Sequence, residues 1–126
     1  MKHHRLLTAL LLAGSAIASL AFVPILKPTS TGAYLFLACW LLLPHALMTV
    51  ALFFFHHRQR RTGWLCGAVA GVALAGVLLL CDIIFWHPDA QGAIAVVMTP
   101  LLQLLALAVA VPVAWRLASR TPAGAP

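Results

Sequence analysis

Asp82 and Asp89 are the chain's two acidic residues. With His45, His87, Gln91 and Gln103 they are the side chains within or beside its apolar stretches best equipped for chemistry. A carboxylate beside an imidazole can pass a proton or hold a cation, and a neutral imidazole can also ligate a metal. Asp82, His87, Asp89 and Gln91 crowd into one short stretch and read as a single polar cluster at the end of an apolar run. That cluster is either a hydrated cap on the mouth of a helix bundle or a site for a cationic ligand, a proton or a partner protein. Counted along helices, Tyr34 and Thr99 reach the depth of Asp82.

His45 and Gln103 come out at similar depth near the middle of two different apolar runs, counting about 1.5 Å of rise per residue. Polar pairs join helices in lipid, so a His45–Gln103 hydrogen bond is expected. Heme ligation or proton relay through His45 is the alternative. A bis-His heme would want a second histidine at matching depth, and no other apolar run supplies one. His3, His4, His56 and His57 invite a metal reading. Adjacent rings point about 100° apart on a helix and arginines surround them, so they read as ordinary interfacial residues. The sequence contains no phosphate-binding Gly-rich loop, H-E-x-x-H or G-x-S-x-G, and the polar cluster holds no nucleophile with a base; the expectation is no enzyme, cofactor or metal.

The elements that must position these residues follow from composition. The chain has 126 residues, 63% hydrophobic and 8% charged, with mean hydropathy +1.03. A soluble domain carries about 25% charged residues, so the solvent implied is a bilayer. Apolar runs at about 6–26, 33–55, 63–86 and 93–115 each approach or exceed the roughly 20 residues needed to span it. The fold expected is all-α, a single integral membrane domain over 1–126. In that domain four transmembrane helices form a compact bundle with consecutive spans packed antiparallel, and a short tail occupies 116–126. Pro44 interrupts the second span, and Pro100 and Pro112 the fourth, each removing a helical hydrogen bond. Residues 27–32 and 87–92 are turns by their Pro, Gly, Ser, Thr and Asp content. A cleaved signal peptide ending at Ala16-Ile17-Ala18 is the rival reading of the first span, but the apolar run continues well beyond that point.

The hydrophilic break His56–Thr62 divides the chain into two apolar hairpins that run in the same sense. Its Arg58, Arg60 and Arg61 join Lys2, Arg5, Arg116 and Arg120 on one face of a four-span arrangement, leaving Lys27 on the other. The positive-inside rule then puts both termini in the cytoplasm and Asp82 outside. These cations serve topology and lipid headgroups; removing the spans leaves no basic face, so nucleic acid is not an expected partner.

Gly63, Gly67 and Gly71 recur at four-residue spacing, with Ala75 continuing the row. Small residues at this spacing let two helix backbones approach in lipid, so the row predicts a helix–helix contact, with a neighbour in the same chain favoured. Cys39, Cys66 and Cys81 lie in apolar runs and read as buried small hydrophobes, a Cys39–Cys81 disulfide being the lesser alternative.

Asp89-Ala90-Gln91 followed by an apolar run to Pro100-Leu101-Leu102-Gln103 resembles the D-x-Q…P-x-x-Q ending of small uncharacterised bacterial multi-span membrane proteins. The resemblance covers the last third of the chain and implies a membrane location without an activity. Small four-span multidrug exporters are similar in length, but they rely on an acidic residue in the first span, which is missing here. The function expected is a non-enzymatic structural or accessory subunit in the bacterial cytoplasmic membrane, associating with itself or a larger membrane complex. The alternatives are a small transporter or proton-coupled carrier using Asp82 and His45, and a heme- or quinone-contacting membrane anchor.

Overall fold

The computed structural model describes residues 2–58, 63–87 and 92–120; the side chains of Lys2, His4, Arg5 and residues 55–58 are not among what it describes. Among these residues there are four long helices, α1 (Lys2–Ile25), α2 (Thr31–Arg58), α3 (Gly63–Cys81) and α4 (Gly92–Arg120). A five-residue π-helical turn, Asp82–Trp86, prolongs α3. Their apolar stretches of 20, 24, 24 and 29 residues are each long and apolar enough to cross a membrane. In hydrocarbon a helix is favoured because it satisfies its own backbone polar groups.

Local chemistry sets the ends. Lys27 takes a left-handed backbone conformation, φ 47°, after the last turn of α1, and Pro28 cannot continue the helix. Ser30 then caps α2, its Oγ accepting the Ala33 N–H at 3.2 Å. The serines and threonines inside the spans donate to carbonyls one turn back: Ser15 to Leu12, Ser19 to Ser15, Thr49 to His45 and Thr99 to Ala95, at 2.9–3.0 Å. Each hydroxyl is thereby satisfied within its own helix, which lets it sit in a membrane span without an external donor.

The two hairpins, α1–α2 and α3–α4, lie side by side, with α1 against α3 and α2 against α4. This corrects the expectation that all consecutive spans would be close neighbours. The consecutive pair α2 and α3 sits across a diagonal and touches little, while α1 and α3, which run the same way, pack closely. The hairpins relate in the same sense, so small side chains on α3 can seat against both α1 and α4.

The interior is layered. One apolar cluster gathers Leu12, Met48, Leu65, Val69, Ala73, Leu107 and Ala114 toward the end carrying both termini, and a second gathers Phe22, Val23, Leu41, Leu80 and Val96 toward the other. Between them every helix contributes a polar or small buried residue: Ser15 and Ser19, His45, Gly76, Thr99 and Gln103. The large apolar side chains on the outside are Leu, Ile, Phe, Val, Met, Tyr and Trp, the surface a lipid solvent selects. Trp64 and Trp115 mark one end and Tyr34 and Trp86 the other.

Candidate functional site

Three places hold the candidate residues. At the far end of α3, the backbone opens into the π-helical turn, so the His87 N–H reaches the Asp82 carbonyl at 2.8 Å, five residues back. The same turn swings the His87 ring over the Asp82 carboxylate, and Nδ1 donates to Oδ1 at 3.0 Å. Phe85 packs against Phe22 of α1, ring centroids 6.1 Å apart, which ties the turn to the bundle. Asp82 and His87 thus come together as the sequence implied. Thr99 does not join them, because it donates to Ala95 in its own helix, and Tyr34 faces outward. Asp89 and Gln91 lie outside the described residues.

The Asp82–His87 pair lies on the outer surface at one end of the bundle, with side-chain exposures of 45% and 78%. Exposed pairs contribute little because water competes for both partners. Replacing Asp82 with Asn is therefore expected to move thermal stability in detergent by less than about 1 kcal/mol. A larger loss in a melting experiment would place Asp82 in a dry environment and overturn this assignment.

The second place is the middle of the bundle, where the structure separates a pair that depth alone had joined. His45 and Gln103 are both buried, at 4% and 6% exposure, but they do not bond to each other. His45 Nδ1 donates back to the Leu41 carbonyl at 3.1 Å. Gln103 crosses instead to α3, where its amide Nε2 donates to the Val72 carbonyl at 3.5 Å and its side chain fills the space that a Cβ on Gly76 would need. Gly76 is the residue that sequence reasoning undervalued. Its signal was a glycine directly after Ala75 at the end of the conspicuous row, with a glutamine on the next span. Trp40 likewise turns inward, its indole N–H donating to the Val97 carbonyl at 2.7 Å, so it joins α2 to α4 as well as lying near an interface.

The third place is the glycine row. A Cβ built on Gly63, Gly67 or Gly71 would meet nothing within 4 Å. These residues and Ala75 are exposed along one side of α3, while Leu65, Val69, Ala73 and Gly76 face the interior. The expected neighbour in the same chain is therefore absent, and the row faces outward among the described residues. The face that packs inside the chain is set 2 residues away, a rotation of about 200° at 100° per residue.

The remaining candidates fall as follows. Arg60 and Arg61, and the side chain of Arg58, lie outside the described residues, as do the side chains of His4, His56 and His57; His3 is exposed. All three cysteines are free thiols; Cys66 is buried, but Cys39 is exposed and Cys81 half-buried, correcting the reading of all three as interior. Lipid solvates a thiol on the outer face as readily as the protein interior does. Compared with protein-family models, with curated proteins and with solved structures, the chain finds no match.

Proposed function

We propose that this protein is a small non-enzymatic subunit of the bacterial cytoplasmic membrane that docks a second membrane helix, from another copy or from a larger complex, on the α3 glycine face. The observation that carries this reading is the unoccupied row Gly63, Gly67, Gly71 and Ala75. Between helices in lipid there is little hydrophobic driving force, so close backbone approach supplies the attraction, and small residues permit it. A row of glycines on a lipid-facing surface weakens helix propensity by about 1 kcal/mol per residue relative to alanine. A close-packed partner offsets that cost.

The geometry favours this reading over proton-coupled transport. Asp82 bonds to His87, His45 through Nδ1 to the Leu41 carbonyl and Gln103 to the Val72 carbonyl, so none of the three side chains bonds directly to another. Purification from native membranes in mild detergent, with mass spectrometry of what accompanies the chain, tests the proposal. A particle containing one chain and no partner at every detergent concentration would sink it.

The same proposal includes an orientation, with both termini cytoplasmic, supported by the excess of Lys and Arg at that end. In a cysteine-free background, Thr29→Cys is expected to react with a membrane-impermeant maleimide in intact spheroplasts. Ser119→Cys is expected to react only after permeabilisation. The opposite pattern would invert the orientation.

A further inference from the structure

Between α1 and α2, toward the end of the bundle that carries both termini, lies a groove of about 640 Å³. Thr8, Leu12, Ala16, Leu42, His45 and Thr49 are among the residues lining it. Its volume falls in the range of about 300–1,000 Å³ typical of small-molecule sites. It is a different surface from the α3 glycine face. Small side chains contribute to its width: Ala9, Ala13 and Ala16 on α1 and Ala46 on α2 line it, where larger residues would narrow the gap.

His45 gives the groove its chemistry. Its side chain is 4% exposed, and Nε2 is buried without a hydrogen-bond partner. The Leu41 carbonyl can only accept, so the proton of that bond sits on Nδ1. In the neutral ring Nε2 is then an acceptor with a free lone pair. A buried polar atom left unpaired costs about 1–3 kcal/mol, so the site favours an occupant that brings a donor. Among the described residues no Lys or Arg lines the groove to pair the carboxylates of a heme.

We propose that this groove binds a lipid-soluble ring compound bearing a hydroxyl, the chemistry of a quinol, with the hydroxyl donating to His45 Nε2 and the apolar remainder lying along α1 and α2. The ligand enters sideways from the bilayer, since the groove is open between the two helices. Thr49 Oγ spends its proton on the His45 carbonyl, which leaves its lone pairs as a further acceptor on the same wall.

The test uses the full chain in phosphatidylcholine nanodiscs, with radiolabelled decylubiquinol and its di-O-methyl ether as probes. The two share shape and apolarity, but only the first has hydroxyl donors. Retention of the quinol is expected to exceed that of the ether by about tenfold, the effect of one satisfied buried acceptor. His45→Leu is expected to erase the difference, and Ala16→Phe, which fills the groove, to abolish retention of both. Equal retention of the two probes by the native chain would mean that only an acyl chain occupies the groove, and would overturn the proposal. So would retention of neither, or a His45-dependent Soret band on adding hemin. The comparison of probes on the native chain stands even where a variant fails to fold.

Discussion

Gly76→Leu is expected to be the most damaging single substitution in the described bundle. A side chain at this position has nowhere to go, because the Gln103 amide already occupies the place of the first added carbon, and Gly76 is buried on α3 where Gln103 of α4 packs against it. Inserting methylenes into a filled interior costs about 1–3 kcal/mol, and displacing Gln103 also breaks its bond to the Val72 carbonyl. That amide then lies in a water-poor layer between two apolar clusters, where an unpaired buried polar group costs a further 1–3 kcal/mol or so. The expected sum is about 2–6 kcal/mol, a large part of a domain's net stability of roughly 5–15 kcal/mol. Thermal unfolding in detergent measures it. The milder Gly76→Ala is expected to be rescued by Gln103→Ala, which removes both the clash and the amide, giving a coupling energy of about 0.5–3 kcal/mol between the two sites. Additive losses from the two alanine substitutions would mean that Gln103 does not fill the Gly76 notch.

The difference between Gly76 and the more conspicuous glycines shows what can be read from this kind of sequence. Four apolar runs of sufficient length announce four helices, and the structure has them, with α2 and α4 running a few residues beyond 33–55 and 93–115. Inner and outer faces are harder to tell apart. In water the polar stripe of a helix marks its exposed side, but in lipid both sides are apolar. Along α3 nothing in residue type separates buried Leu80 from exposed Leu78. Depth could be counted for His45 and Gln103 and was correct as depth. Rotation about the helix axis decides which groups meet, and at 100° per residue it has to come from packing. Each of the two found a backbone carbonyl, which sequence does not display. The Asp82–His87 contact was legible because the two are five residues apart on one chain. The π-helical turn that closes it was not, since no residue in Asp82–Trp86 announces an extra-wide turn. The α1–α2 groove was illegible because it depends on which side chains of the two helices turn toward it.

Gly67→Leu should behave in the opposite way to Gly76→Leu, and the contrast is the sharpest test of the docking face. Within the single chain the first added carbon meets nothing within 4 Å, and the position faces outward, where lipid solvates leucine well. Replacing glycine by leucine in a helix interior also favours the helix by about 1 kcal/mol or somewhat less. The isolated chain should therefore melt at the same temperature or slightly higher. Association should suffer, because a leucine in the centre of the row holds the partner backbone away from Gly63, Gly71 and Ala75 together. A penalty of about 1–3 kcal/mol at the contact weakens association by roughly 5- to 150-fold. Leu105→Ala, at an exposed position on α4, should leave association unchanged and so controls for nonspecific effects of altering the lipid-facing surface. Particle size in mild detergent, followed across protein concentration, reads the association, and the melting temperature of the same samples reads the fold. An unchanged size distribution for Gly67→Leu would remove the glycine row as a docking face. A lowered melting temperature would instead return that row to the interior of the single chain.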